Sequence, residues 1–227
     1  HHEIGIHPLK TSADVSSEVE RLVPLFDLAM LSEGDRQRSL GLAWQQAFTR
    51  PGPEPADSRE RRHAAETAQE LLSGLPPEFA DDAVAAALAQ LHFARGETVQ
   101  AAEAARRVLR LESPSTDAKI AALFPLGVIA FSERRFDEAA EYFSELTGLR
   151  RSAGDWYFLG LSEFNSGQAA LAIQALETSR QLDPASIETC EALATIYRSQ
   201  DDRDAQERLR DEIARLKRWQ SGRGIAN

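Results

Sequence analysis

A single cysteine, Cys190, is all that 227 residues contain. An internal disulfide framework needs two, and a cysteine-rich zinc site needs more, so both are excluded. No apolar run approaches the roughly 18 residues of a helical membrane span, and no signal-peptide core is present. Direct membrane insertion is therefore not expected. β-Branched apolar residues are scarce as well: 7 Val and 9 Ile stand against 36 Ala and 26 Leu. Ala and Leu favour helices, whereas strands draw on Val, Ile and aromatics, so a sheet-based fold has almost no material. The composition predicts an all-α protein.

Positive charge is also in deficit. Lys and Arg number 26 and Asp and Glu 36, a net charge of −10 and a pI near 5.1. A chain this acidic is repelled from a phosphate backbone unless it carries a strong local basic patch. Its short basic clusters (Arg59, Arg61 and Arg62; Arg106, Arg107 and Arg110; Arg215, Lys217 and Arg218) are accompanied by acids and read as solvated helix faces. Nucleic acid is not an expected partner. Enzyme signatures are missing too: there is no Gly-x-Ser-x-Gly elbow, no Gly-rich phosphate loop and no His-Glu-x-x-His. The reading is non-enzymatic, with no cofactor and no metal site. His1-His2-Glu3 reads as the end of an affinity tag, and the chain does not start with Met. The cytoplasm is the default compartment, with a periplasmic location or a soluble domain of a membrane protein left open.

What is present is a repeat. Trp156 to Gly160 leads within a turn to Asn165-Ser166-Gly167, and a second helical run, Ala169 to Leu182, closes at Asp183-Pro184. Upstream lie Leu126-Gly127 and the stretch Phe136 to Phe143; downstream lie Leu193-Ala194 and Tyr197. Gly96 separates two Ala-rich runs, Asp82–Ala94 and Thr98–Leu111. These are helix–turn–helix units at spacings of 33 to 38 residues. The pattern resembles the tetratricopeptide repeat (TPR) family, whose 34-residue unit reads Trp-x2-Leu-Gly-x2-Tyr, then Ala-x3-Phe, then Pro. Unit 153–186 supplies Trp156, Leu159, Gly160, Gly167, Ala172 and Pro184, with Glu163 in place of the Tyr. Unit 120–152 supplies Leu126, Gly127, Ala139 and Phe143; unit 82–115 supplies Leu88, Ala89, Gly96 and Ala101, with Pro114 one place late. The unit from Ile187 supplies Leu193, Ala194 and Tyr197, then drifts.

The pattern has a packing reason. A small residue at the eighth position lets the first helix approach its partner, and Ala at the twentieth does the same from the other side. Large residues at the fourth, seventh, eleventh and twenty-fourth positions fill the space between. One hairpin cannot bury its face alone, so neighbours stack. The resemblance implies a right-handed α-solenoid of about four to five TPR-like hairpins with an extra N-terminal helix. Residues 1–13 are assigned to a tag remnant and 14–77 to N-terminal helices. Residues 78–220 hold the array (82–115, 120–152, 153–186, 187–220), and 221–227 form a disordered tail. Within the N-terminal part, a helix is expected from about Asp14 to Leu31 with a kink at Pro24. A run from Ser32 to Phe48 follows, then a loop at 50–58 and a polar helix from Arg59 to Ser73 ended by Pro76-Pro77. Leu40-Gly41 and Ala65 would belong to a degenerate repeat stretched by that loop.

In this register His92 takes the Tyr position and is expected to be packed and hydrogen-bonded, His63 exposed, and Cys190 buried as small core filler. Asp81-Asp82 and Asp201-Asp202 fall at helix starts, where they suit the dipole. In proteins of this family the second, fifth, ninth, twelfth and thirteenth positions of each first helix line a groove. Mapped here they give Gln90 and Phe93, then Phe124, Val128 and Phe131, then Tyr157, Leu161, Phe164 and Asn165. The last unit turns polar, with Glu188, Glu191, Thr195 and Arg198. The Lys, Asn and Arg of a carboxylate clamp are missing, so capture of acidic C-terminal tails is not expected. An apolar groove suits an amphipathic helix or an extended peptide with apolar anchors. The expected function is a protein-binding module: a scaffold, assembly factor or chaperone-like adaptor. The alternative is a structural or oligomerisation domain of a longer protein, with the same aromatics covered by a second copy in a homodimer or by the N-terminal helices folding back.

Overall fold

A computed structural model of the chain describes residues 32–49 and 59–223. The helix expected over 14–31 and the loop at 50–58 lie outside the described residues, as do residues 224–227. The described residues are all-α, with no strand among them. Ten α-helices follow in order among them: α1 (Glu33–Thr49), α2 (Arg59–Ser73), α3 (Asp82–Ala94), α4 (Thr98–Leu109), α5 (Thr116–Ser132), α6 (Phe136–Leu149), α7 (Ala153–Asn165), α8 (Ala169–Leu182), α9 (Ile187–Ser199) and α10 (Arg203–Arg223). Pro77–Phe79 adds one 3-10 turn. The final helix runs past the expected boundary: 221–223 continue α10, where an unstructured tail was expected.

Short polar side chains cap several of the helices. The Asp81 carboxylate accepts the Val84 backbone N–H at 3.0 Å, and the Ser186 hydroxyl accepts that of Thr189 at 3.1 Å, each satisfying an otherwise orphaned donor. Asp202 does the same for Ala205 at 3.0 Å. The turns inside the hairpins share one backbone device. Gly96 (φ 75°), Arg134 (φ 62°), Gly167 (φ 84°) and Asp201 (φ 56°) each follow the first helix of a pair in the left-handed region. Glycine reaches that region without strain, so two of the four turns carry a residue that does so at a cost.

The described residues divide into two compact units, one ending at Ala122 and the other beginning at Leu123. In the first, α1 and α2 form a hairpin that packs on α3. Its core is Ala65, Ala68, Leu72, Val84, Ala87 and Leu91, flanked by Leu42, Trp44 and Phe48. A Cβ on Gly41 would stand 2.6 Å from Leu72 Cδ2, so α1 and α2 touch there through a missing side chain. His92 is packed and its Nδ1 meets Glu97 Oε2 at 2.5 Å, while His63 is exposed with its ring edge-on to Trp44 at 6.0 Å.

In the second unit the same close approach recurs. A Cβ on Gly127 would meet the Phe143 ring at 2.8 Å, and one on Gly160 would meet Leu176 Cγ at 2.6 Å. The core of its C-terminal part is Ala172, Leu176, Cys190, Leu193, Ile196 and Leu209. Cys190 is fully buried, and burial pushes its thiol pKa up, as expected for core filler. Pro125 lies buried inside α5, where its ring nitrogen offers no hydrogen to the Ala121 carbonyl.

Candidate functional site

The nine groove candidates separate into three situations. In the first unit, Gln90 and Phe93 are half-buried on α3. Gln90 is held from α1, its Oε1 accepting the Gln45 amide at 2.7 Å. In the second unit, Phe124 and Phe131 on α5 are half-buried and already engaged with other rings. Both stand edge-on to Phe158 of α7, at 6.3 and 6.2 Å, and Phe131 also meets Phe136 at 5.4 Å. Phe158 stacks on Phe143 at 5.2 Å with an interplanar angle of 12°. Ring pairs in such geometries attract beyond their buried area. Phe158 is the hub of this cluster, and the groove positions did not include it.

One edge of the cluster is pinned by charge. Asp155 at the start of α7 is buried and takes two hydrogen bonds from the Arg150 guanidinium, at 2.6 and 2.8 Å. The Asp155 carboxylate holds the Arg150 pKa above its ordinary value, against the opposing effect of burial. The same guanidinium lies over the Phe124 ring, 5.6 Å from its centroid. Val128 is half-buried on α5, and Asn165 is exposed, its amide donating to the Leu161 carbonyl at 2.7 Å. Neither is drawn into the ring cluster.

The remaining three candidates do come together. Tyr157, Leu161 and Phe164 line a cleft of about 280 Å³, facing α9. Their spacing of four and then three residues puts them on one stripe of α7. Tyr157 and Phe164 rest on the buried core of this part of the unit, so one side of each ring is packed while the other borders the cleft. The far wall is Glu188, Glu191 and Thr195 above Ala192 and Ile196 of α9. The two carboxylates act on Tyr157: burial first, then Glu188 and Glu191, raise its phenol pKa above the ordinary value. Lys217 of α10 reaches Glu191, Nζ to Oε1 at 2.8 Å.

A second cleft, about 690 Å³, opens among α6, α7 and α8 and is lined by Asp137, Glu141, Glu145 and Glu163 with Leu171. Glu163, which departs from the repeat pattern, borders this cleft; burial and Asp137 raise its pKa. Among the described residues no three His, Cys, Asp or Glu side chains are placed to hold a metal ion. Among the same residues no helix is long and apolar enough to cross a membrane.

The class these hairpins define is all-α and tetratricopeptide-like, within the α-solenoid group of folds. No protein-family model and no curated protein matches the sequence. Solved structures do match. MamA of AMB-1 superposes with a TM-score of 0.66 at 16% identity, covering 81% of this chain and 98% of that one. MamA from Desulfovibrio magneticus RS-1, from residue 41 to the end, gives 0.63 at 19% identity, with 81% and 97% covered. A further crystal structure of MamA gives 0.59 at 18%, with 85% and 98% covered. At these identities the likeness is one of fold.

Proposed function

We propose that this chain is a non-enzymatic protein–protein interaction module, a scaffold, assembly factor or chaperone-like adaptor, that binds an apolar peptide or amphipathic helix. The observation that carries this reading is the cleft bordered by Tyr157, Leu161 and Phe164. All three are half-buried, and Tyr157 and Phe164 are ordered by the core beneath them while still presenting apolar surface to the cleft. An occupant with one large apolar side chain would complete their burial. Apolar area removed from water is worth about 25 cal/mol per Å² before the costs of association, so a single anchor contributes usefully and several are needed for tight binding. Phe124 and Phe131 supply the outer edges of the adjoining ring cluster as further contact surface.

Titration with Nile red, an uncharged apolar dye, alongside static light scattering tests this reading. The wild-type chain should be monomeric and enhance the dye's fluorescence. Tyr157→Ala combined with Leu161→Glu should abolish the enhancement while circular dichroism shows unchanged helix content, because a charge against an apolar anchor must be desolvated without a counter-ion. If the wild type scatters as a dimer and the double variant as a monomer, the aromatics serve self-association and the peptide reading is wrong.

A further inference from the structure

We infer that the cleft between α7 and α9 selects a segment whose apolar anchor is flanked by lysine or arginine. This rests on the peptide-binding reading and narrows it to one partner chemistry. The two walls differ in kind: α7 presents Tyr157, Leu161 and Phe164, while α9 presents Glu188 and Glu191, one helical turn apart. Among the described residues no lysine or arginine lines the cleft. An acidic or purely apolar segment would leave these carboxylates facing like charge or a desolvating surface without a counter-charge, which opposes binding. A basic flank meets them with charge-assisted hydrogen bonds.

The site already holds the kind of group it would take. The Lys217 ammonium sits 2.8 Å from Glu191 Oε1, in a pair whose side chains are 58% and 52% exposed. Exposed pairs of this sort contribute little, so an incoming cation can take the place of Lys217 at small cost. Among the described residues Glu188 accepts a long contact from the Ser186 hydroxyl, at 3.3 Å, and keeps acceptor capacity for a second cation. The net charge of −10 adds a long-range bias toward basic segments, and it falls away with salt.

Two model peptides of equal length separate the possibilities: an amphipathic helix of leucine and lysine, and its leucine–glutamate counterpart, each fluorescently labelled and followed by anisotropy. The leucine–lysine peptide should bind and the leucine–glutamate peptide should not. Glu188→Gln with Glu191→Gln should weaken the first roughly three- to tenfold at low ionic strength, and less at high salt. Both carboxylates are exposed, so these variants keep the fold. Glu141→Gln with Glu145→Gln, in the acid-lined cleft beside Leu171, should leave affinity unchanged; an equal loss there would mean generic charge attraction and overturn the inference. Equal binding of both peptides would overturn it too, while loss of that binding on Leu161→Asn would leave the apolar-cleft reading standing. If neither peptide binds, or Leu161→Asn changes nothing, the apolar-cleft reading fails and takes the inference with it.

Discussion

Gly160 marks the crossing of α7 and α8, and adding a side chain there should cost measurable stability. A Cβ at this position would stand 2.6 Å from Leu176 Cγ, 3.0 Å from its Cδ2 and 3.1 Å from the Ala172 carbonyl oxygen. Leu176 is fully buried and Ala172 O is helix backbone, so neither can withdraw freely. Overpacking of this kind costs about 1–3 kcal/mol, and replacing a mid-helix glycine returns about 1 kcal/mol of propensity. Gly160→Ala should therefore lose about 1 kcal/mol net and Gly160→Leu about 2 kcal/mol. For a chain of this length that is a fall in Tm of about 4–8 °C for the leucine variant. Gly148 near the end of α6 is the control, since a Cβ there would meet nothing within 4 Å. Gly148→Ala should hold or raise stability by up to about 1 kcal/mol. Thermal and urea melts followed by circular dichroism read both effects. Gly160→Leu melting at or above the wild type would refute the helix crossing and with it the whole repeat register.

At Gly167 the cost is in the backbone instead. Its φ is 84° and a Cβ would find open space, so Gly167→Ala should lose about 1 kcal/mol with no change in packing, whereas Arg134→Gly, relieving a φ of 62°, should be neutral or stabilising; paired urea melts would show a loss for the first variant and none for the second. Asp82 receives hydrogen bonds from the Ser115 backbone N–H and hydroxyl at 2.8 and 2.7 Å, and these, the hydroxyl first, hold its pKa below the ordinary carboxylate value. A lowered folded-state pKa contributes stability that is present above the unfolded value, near pH 4, and is lost as pH falls through the folded value. Ser115→Ala should raise the Asp82 pKa in a carboxyl-detected NMR titration and flatten the acid limb of the stability curve; an unmoved pKa would show that the contact is not made in solution.

Much of the fold was legible because one contact repeats at a fixed offset. A glycine meets a large residue sixteen positions later, Gly127 with Phe143 and Gly160 with Leu176, and both pairs can be read straight off the repeat pattern. Gly41 meets Leu72 in the same way, but thirty-one positions later, because the segment at 50–58 intervenes. That stretch hides the offset, so the sequence suggested a degenerate hairpin without defining it. The end of α10 was misjudged for a simpler reason. Ser221 and Gly222 read locally as helix breakers, yet the helix continues to Arg223, since propensity is a weak guide over a single turn.

The candidate site was legible in part, and the reason for the remainder is physical. Family positions identify which side chains point away from a hairpin's own core, but their fate depends on what the following helix offers them. Phe124 and Phe131 are followed on α7 by Phe158, a large ring that fills the space against them and joins them to Phe143. The clue lay in plain numbers: six of the ten phenylalanines fall between positions 124 and 164, more than a surface stripe requires. Tyr157, Leu161 and Phe164 are followed on α9 by Glu188, Glu191 and Thr195. Carboxylates cannot be buried against apolar faces without partners, so this side stays unfilled and a cleft remains. The groove positions of one repeat and the facing residues of the next together decide whether a packed aromatic layer or an open cleft results. In this chain the α7–α9 pair leaves the cleft open.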